Sequence, residues 1–186
     1  MADELTPADV EAHTKGRVKA SDPQTAVWLT QALDRVRRFC GWHVSPVRED
    51  TVVLDGGGWS YFVLPTLKVV EILSIKEDGE EVDLGGIRQV TKEPGVIYKR
   101  RGRWCGEIEV RFTHGFTAAE AGSFRGEVLS LIDREETSAG LGVSGPLTGI
   151  EVDDVNYRYS GVMDRSWGIA KDPLNESVLY QYRILL

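Results

Sequence analysis

The chain has 186 residues, 41% of them hydrophobic and 27% charged, which fits one globular domain with a substantial core. Its formal net charge of -7 disfavours general affinity for nucleic acid, because the phosphate backbone is also anionic. The two cysteines are too few for a disulfide framework, the N-terminus lacks the pattern of a secretion signal, and no apolar run reaches the length of a membrane span. We therefore expect a soluble, intracellular protein with reduced cysteines.

Two helices are predicted before the first strand. Residues 5–13 carry a weak helical pattern with suitable capping residues at its start. The pattern from Pro23 to Cys40 is much clearer, because apolar residues recur every three or four positions along one face. Asp22 or Ser21 is the predicted cap, and Gly41 is the natural stop, since glycine readily adopts the left-handed conformation that ends many helices. The apolar positions of this face are Ala26, Leu29, Leu33, Val36 and Cys40.

From Trp42 to Phe116 the pattern changes to short strands separated by turns that contain glycine or proline. Asp78-Gly79, between two such runs, is a hairpin signal. In Glu107–Phe112, apolar and charged residues alternate, as in a strand with one buried face. This part of the chain predicts a compact antiparallel unit, either a small sandwich or a barrel. The strand-like runs are Val52–Leu54, Tyr61–Leu64, Val69–Ile75, Val96–Tyr98 and Glu107–Phe112.

Helical character returns after these strands. Thr117, followed three residues later by Glu120, is a capping-box pattern, and apolar residues at helical spacing follow it. Two glycines weaken the start, so we expect the ordered helix to begin near Ser123. The chain then ends in a long, partly irregular arm, in which Ile150–Tyr159 is able to pair as a strand and a short helix follows Pro173.

The predicted fold class is α+β, with a small helical core, an inserted antiparallel β sandwich or barrel, and a long C-terminal arm. The predicted divisions are an N-terminal helical part over residues 1–41, a β-rich insertion over 42–116, a second core helix over 117–137, and a C-terminal loop and arm over 138–186. A C-terminal arm of this length with several aromatic residues is typical of a segment that becomes ordered when it binds a partner. It is equally typical of a segment that packs against its own domain.

The stretch Phe39–Val47 (FCGWHVSPV) raises the question of catalysis, because Cys40 and His43 stand three residues apart. A zinc site would need a second ligand pair at finger spacing, and none follows. A nucleophilic cysteine would need accessible, electropositive surroundings, whereas Cys40 lies on the apolar face of its predicted helix. We therefore interpret Cys40, Gly41 and Trp42 as a structural junction, and we predict neither catalytic residues nor a metal or cofactor.

Lys99, Arg100, Arg101 and Arg103 form a basic stretch flanked by aromatic residues. This combination can bind nucleic acid or pair with an acidic protein partner, although the favoured interpretation is a solvated hairpin tip. The glycine-rich Asp55–Trp59 lacks the Lys-Ser/Thr of a phosphate loop and is interpreted as a hairpin loop. The residues do not assemble an active site, so the sequence predicts a structural or interaction protein and not an enzyme.

The order of several short motifs resembles the head-to-tail adaptor (head–tail connector) proteins of tailed phages, in particular those of actinobacterial phages. The motifs are VRRFCGWHVSPV at the end of a helix, VVLDGGG, VLPTLKVVEILSIKEDGEEV, and IEVRFTHGF leading into a helix. The resemblance covers Leu5 to Ile132 and is weaker over the C-terminal arm. It implies a small helical core interrupted by a β insertion.

The resemblance also implies a structural protein of the virion neck, without catalytic residues or cofactors, that is made in the host cytoplasm. Its subunits would form a ring, typically of twelve, that sits below the portal protein, extends the DNA channel and receives the stopper or tail-terminator proteins. Genomic DNA would pass through without sequence-specific binding, and no membrane would be involved. The alternative is a β-domain module of phage origin that binds a protein without forming a ring.

The C-terminal arm is the predicted interface with the portal or a neighbouring subunit, because of its length, its aromatic residues and its apolar end. The predicted contact residues are Tyr157, Tyr159, Trp167, Tyr180, Tyr182, Arg183, Ile184, Leu185 and Leu186. Lys99, Arg100, Arg101 and Arg103 form a predicted charged contact tip. An acidic subunit suits a DNA conduit, since a wall that repels phosphate lets DNA slide.

Overall fold

The computed structural model describes residues 4–90, 92–140, 149–152, 155–158 and 174–184, with the backbone alone for 138–140, 149–152 and 155–158. These residues form two compact units. The sheet unit contains the described residues of 1–4, 37–124 and 179–186, and the helical unit contains those of 5–36 and 125–178. Each unit is formed by segments that are not continuous in the sequence. The domain divisions predicted after residues 41, 116 and 137 stay predictions.

The described residues form α-helices, antiparallel strands and short 3-10 turns. The helices are α1 (Pro7–His13), α2 (Pro23–Cys40), α3 (Gly122–Gly140) and α4 (Glu176–Leu179). The strands are β1 (Arg48–Asp55), β2 (Tyr61–Val63), β3 (Val69–Glu77), β4 (Glu80–Glu81), β5 (Ile87–Gln89), β6 (Val96–Lys99), β7 (Glu107–His114), β8 (Gly149–Val152) and β9 (Val155–Arg158). The 3-10 turns are Leu84–Gly86 and Tyr180–Tyr182. The predicted α+β class with antiparallel sheets is confirmed.

The N-terminal helices lie where the sequence predicted them. Thr6 and Asp9 exchange capping hydrogen bonds at the start of α1. Helix α2 has the predicted bounds, and the Asp22 carboxylate accepts a hydrogen bond from a backbone N–H of its first turn at 2.9 Å. Gly41, with a φ of +80°, ends α2 in the left-handed conformation. None of the helices in the described part of the chain is both long and apolar enough to cross a membrane.

Buried apolar side chains and ion pairs hold the helical unit together. Arg17 forms salt bridges with Asp133 and Glu136, and Arg35 forms one with Glu135 at 2.9 Å, so two N-terminal segments are tied to α3. These pairs are partly exposed, so each stabilises the unit by at most about 1 kcal/mol, and most of the stability comes from the apolar core. The buried apolar residues are Leu5, Val10, Val18, Leu29, Ala32, Leu33, Val36, Val128, Leu131, Ile132 and Leu174.

Two antiparallel sheets form the sheet unit and share one core. The strand order is β1-β7-β3-β4 in the first sheet and β2-β6-β5 in the second. Alternation along β7 turns Ile108, Val110 and Phe112 inward, and the second sheet contributes Phe62 and Ile97 to the same apolar cluster. The predicted antiparallel unit is therefore confirmed as two sheets over a common core, and the barrel alternative is wrong because the strands do not close.

The local structure departs from the prediction at two places. Strand β5 was missed, because three residues are too few to show a strand period, and β4 is the two-residue second arm of the hairpin that Asp78-Gly79 indicated. Residues 42–47 contain no strand, and β1 begins at Arg48. Thr117 and Glu120 make the hydrogen bonds of a capping box, with the Thr117 N–H donating to the Glu120 carboxylate at 2.9 Å. They close the turn before α3, which begins at Gly122, next to Ser123, near which the sequence predicted the ordered helix to begin.

The described part of the C-terminal arm contains a hairpin and a short helix. Strands β8 and β9 pair with each other, with Ile150 opposite Tyr157, so the strand predicted in this region is two strands. Helix α4 and the 3-10 turn after it form the helical segment predicted to follow Pro173. In the helical unit, the Asn175 N–H donates to the buried Glu127 carboxylate at 2.9 Å, which anchors the segment just before α4.

Candidate interaction site

The junction after α2 is built from buried groups that are unsuited to nucleophilic catalysis. Burial raises the pKa of the Cys40 thiol to about 12, so the thiolate is absent at neutral pH. The ring of His43 is turned to the main chain, where its Nε2–H donates to the Pro46 carbonyl at 2.7 Å. Among the residues that the structure describes, no group of three His, Cys, Asp or Glu side chains could hold a metal ion. The raised pKa of Cys40 and the main-chain contact of His43 fit a structural junction, which stays a prediction.

Five aromatic or imidazole rings pack around this junction and form an aromatic cluster. Its members are Trp42, His43, His114, Phe116 and Tyr182. The centroids of His43 and His114 are 4.4 Å apart, and the Nδ1 atoms of both are buried without a hydrogen-bond partner. Burial lowers the pKa of His43 to about 4 and also lowers that of His114. Both rings are therefore neutral at pH 7, since two imidazolium charges at this separation would repel each other without solvent to screen them.

The C-terminal segment packs against the aromatic cluster of its own chain. The Trp42 Nε1–H donates to the Tyr182 carbonyl at 2.7 Å, and the Ile184 N–H donates to the Cys40 carbonyl at 2.9 Å. The Tyr182 side chain is buried, and its hydroxyl donates to the Glu120 carbonyl at 3.3 Å. Residues 179–184 therefore fold back on the sheet unit, which is one of the two alternatives that the sequence left open.

One group of residues at this end of the chain remains at the surface. Tyr180 is 53% exposed and meets Phe39 edge to face, with ring centroids 5.9 Å apart. The Arg183 guanidinium lies 4.8 Å from the Phe39 ring centroid and 5.9 Å from that of Tyr180. Exposed aromatic rings beside an arginine are typical of interface hot spots. This Tyr180 cluster (Phe39, Tyr180 and Arg183) is a surface at which the predicted C-terminal interface can meet a partner.

The residues of the predicted basic tip differ in how they are held. Lys99 forms a salt bridge with Glu77, so its charge is neutralised within the chain. Arg100 and Arg103 donate to main-chain carbonyls, at 2.9 and 3.3 Å, and Arg101 is exposed. Because a carbonyl does not neutralise a guanidinium, the arginines keep their charge. They remain available for an acidic partner.

Two solved structures share this fold over almost the whole chain. One, "Neck of empty GTA particle computed with C6 symmetry", has a TM-score of 0.59 and 16% identity over 98% of this chain and 90% of that chain. The other, "Neck of native GTA particle computed with C12 symmetry", has a TM-score of 0.57 and 16% identity over 100% of this chain and 96% of that chain. The chain has the fold of a GTA-neck protein. Neither a protein-family model nor a curated protein sequence matches it.

Within this GTA-neck fold, the predicted contact residues have different positions. Tyr180 and Arg183 belong to the surface cluster, whereas Tyr182 and Ile184 are engaged with the junction. Tyr157 lies in β9, where the backbone alone is described. Tyr159, Trp167, Leu185 and Leu186 lie outside the described residues. The aromatic cluster was missed as a unit, because its rings come from three distant parts of the sequence and nothing in the local pattern connects them.

Proposed function

We propose that this chain is a head-to-tail adaptor, a structural and non-enzymatic protein in the neck of a phage-like particle. It forms a ring below the portal, extends the DNA channel and joins the capsid to the stopper and tail. The observation that carries the proposal is the fold shared with GTA-neck chains over 98% and 100% of this chain. The symmetry of those assemblies, C6 and C12, supports a ring of identical copies, for which we propose twelve subunits.

A ring requires that one face of each subunit meets a different face of the next, with a rotation that closes. The outer surfaces of such a ring then contact the portal on one side and the stopper or tail-terminator protein on the other. The chain would be made in the host cytoplasm and reach the neck during assembly. The sequence motifs that resemble head-to-tail adaptors support the same assignment.

The acidic balance of the chain suits a channel through which DNA moves. With a net charge of -7, the average subunit surface repels phosphate, so DNA slides past the wall and is not held by it. The proposal therefore includes DNA that passes without sequence-specific binding. A structure of the assembled neck in which the channel-facing surface of this chain is mostly basic would contradict this part of the proposal.

The C-terminal arm is the proposed contact with the portal or a neighbouring subunit. The Tyr180 cluster supports this role, because it presents an exposed ring and a cation next to a segment that is firmly held by Trp42. The remaining residues of the proposed contact are assigned from the sequence and are Tyr157, Tyr159, Trp167, Leu185 and Leu186. Tyr182 contributes by fixing the segment to the sheet unit.

Deletion of the gene for this chain from its phage or phage-like element, with supply of the chain in trans, tests the adaptor role. Without the chain we expect heads and tails that do not join, and with the chain restored we expect joined particles. Electron microscopy measures the joined fraction, and an image reconstruction of the neck locates the ring. Normal joining in the absence of the chain would overturn the proposal.

A further inference from the structure

The outer face of the three-stranded sheet carries a row of aromatic and arginine side chains. Tyr61, Tyr98 and Arg88 lie opposite one another on β2, β6 and β5, so their side chains share one face. The ring centroids of Tyr61 and Tyr98 are 5.6 Å apart, and the Arg88 guanidinium carbon lies 5.0 Å from the Tyr98 centroid. Phe62 and Ile97, the next residues along β2 and β6, are buried in the core, which places the row on the solvent side.

Apolar side chains extend this row along β2. Val63 is 53% exposed and lies two residues after Tyr61 on β2, so it shares the same face. Trp59 is 65% exposed and lies in the bend just before β2. The Ser60 carbonyl accepts a hydrogen bond from the Lys99 N–H at 2.8 Å, and the Trp59 carbonyl accepts one from the Trp104 N–H at 2.7 Å, which holds the bend before β2 beside the end of β6. Arg100 follows β6 directly, and its side chain donates to the Ile87 carbonyl of β5. The resulting aromatic–arginine face is defined by Trp59, Tyr61, Val63, Arg88, Tyr98 and Arg100.

The arginines of this face are not paired with carboxylates in the described part of the chain. Arg88, Arg100 and the two arginines of the adjacent turn, Arg101 and Arg103, form no salt bridge with an acidic residue that the structure describes. Other cations of the sheet unit do form such pairs, namely Lys68 with Glu120, Lys76 with Glu109, Lys99 with Glu77 and Arg111 with Glu49. The Glu93 carboxylate, which accepts a hydrogen bond from the Tyr98 hydroxyl at 2.5 Å, adds one negative charge beside these four arginines. In a chain with a net charge of -7, the face is therefore locally positive by the excess of arginines over this one carboxylate.

We propose that the aromatic–arginine face docks on an acidic surface of a second copy of this chain. Trp, Tyr and Arg are the residues most enriched at interface hot spots. Because four arginines that form no salt bridge with a described residue lie on or beside this face, the rest of the chain is more negative than its overall charge of -7, and one copy therefore offers the complementary charge to the next. A contact between two different faces is head-to-tail and is able to close a ring. The inference uses only the surface of this chain and does not depend on the adaptor role.

The geometry of the arginines favours carboxylates as their partners. The Arg100 Nε–H donates to the Ile87 carbonyl at 2.9 Å, which fixes the guanidinium while its terminal nitrogens remain available for a bidentate contact. Nucleic acid is the competing anion, but the net charge opposes its approach. Duplex DNA also has no exposed base faces on which Trp59 and Tyr61 would stack. A protein surface can contact both the aromatic and the arginine side chains of this face, because apolar side-chain atoms and carboxylates lie next to each other on it.

Crosslinking between copies of the full chain tests this contact. A benzophenone amino acid in place of Tyr61 keeps an aromatic side chain in the row. In a mixture of isotopically heavy and light chains at about 100 μM and low salt, we expect crosslinked peptides that contain both isotopes. The partner peptide should be rich in Asp and Glu, and the yield should fall at high salt. A chain that stays monomeric in sedimentation and gives only single-isotope peptides would overturn the proposal.

Matched substitutions distinguish this face from the rest of the surface. Arg88→Glu should weaken self-association about tenfold or more, whereas Lys15→Glu, the same charge change at another exposed site, should change it less than about twofold. Val63→Ser should weaken it severalfold, and Val53→Ser, at a valine of β1 that is 58% exposed, should not. Equal effects within either matched pair would contradict the assignment.

Two further outcomes separate this inference from its competitors. If an oligonucleotide binds the wild-type chain more tightly than a second copy of the chain does, and Arg88→Glu abolishes that binding, the face binds nucleic acid. This result would overturn the proposal. Necks with normal rings of Arg88→Glu subunits would overturn this contact and leave the adaptor role intact. Self-association through this face in a chain that is absent from the neck would support the contact and overturn the adaptor role.

Discussion

At the residue scale, Trp42 links the junction after α2 to the C-terminal segment through its hydrogen bond to the Tyr182 carbonyl. Trp42→Phe removes the donor and leaves a buried carbonyl unsatisfied, so we expect the free energy of unfolding to fall by about 1–3 kcal/mol. Urea denaturation followed by far-UV circular dichroism measures the change. Trp59→Phe, at an exposed tryptophan, should change it by less than about 0.5 kcal/mol, and equal losses at both sites would contradict the anchoring role.

The lowered pKa of His43 predicts that the free energy of unfolding decreases in mild acid. The unfolded chain binds a proton near the ordinary pKa of 6.5, whereas burial holds the folded pKa at about 4, with the cations of Arg48 and Arg37 acting in the same direction and the hydrogen bond to Pro46 opposing them. Between these values the unfolded state binds more protons, so stability is complete above about pH 6.5 and is lost as the pH falls toward 4. His114 faces His43, and its lowered pKa adds a loss of the same sign.

We expect the free energy of unfolding to be lower by roughly 1–2 kcal/mol at about pH 5 than at about pH 7, after allowance for partial solvent access. Urea midpoints at the two pH values measure this difference. His43→Gln should reduce the pH dependence, because it removes one of the two titrating groups. His13→Gln, at an exposed histidine of α1, is the matched control and should keep the wild-type slope. An unchanged slope in His43→Gln would show that the buried imidazole is not responsible.

Tyr180 allows the proposed portal contact to be tested without disturbing the fold. Because its side chain is 53% exposed, Tyr180→Ser should change the free energy of unfolding by less than about 1 kcal/mol. If the Tyr180 cluster contacts a partner in the neck, loss of the ring should reduce the fraction of joined particles about tenfold. Val70→Ser, at another exposed apolar residue, should leave that fraction unchanged. Full joining with Tyr180→Ser would remove this cluster from the proposed interface.

At the element scale, the β3–β4 hairpin shows a local signal that determines local structure. Asp78 and Gly79 have φ values of +50° and +83°, as the Asp-Gly pair predicted for a two-residue turn. Gly79→Ala forces a side chain into the left-handed region, so we expect a loss of about 1 kcal/mol, measured by thermal unfolding. Gly86→Ala is the control, because its φ is not positive and a Cβ would meet no atom within 4 Å. A larger loss at Gly86 would contradict this reasoning.

The elements differ in how far the sequence predicts them, and the difference follows from their length. Helix α2 spans 18 residues with a cap, an apolar face and a terminating glycine, so its bounds were predicted correctly. Strands β4 and β5 have two and three residues and exist because β3 and β6 offer paired partners. The start of α3 at Gly122 was also predicted closely, because two glycines weaken the helical pattern that follows the Thr117–Glu120 capping box.

At the scale of the whole molecule, the C-terminal segment supplies buried residues to both units. Leu174 is buried in the helical unit, and Leu179 and Tyr182 are buried in the sheet unit. Truncation after Lys171 therefore removes core side chains as well as the proposed contact. We expect a loss of at least about 3 kcal/mol, or of cooperative unfolding altogether, in urea denaturation of the isolated chain. A truncated chain with wild-type stability would contradict this packing, and Tyr180→Ser, which keeps the core, is the sharper test of docking.

The sequence by itself determined the α+β class, helix α2, the longer strands and the Asp78-Gly79 turn, because each depends on residues that are neighbours in the chain. It also indicated that Cys40 is a core thiol. Only the tertiary structure decided that two sheets form in place of a barrel, and that a tryptophan and a carbonyl 140 positions apart share a hydrogen bond. The aromatic–arginine face likewise exists only after β2, β6 and β5 pair in register. These features depend on contacts between distant segments, whose free energy no local pattern encodes.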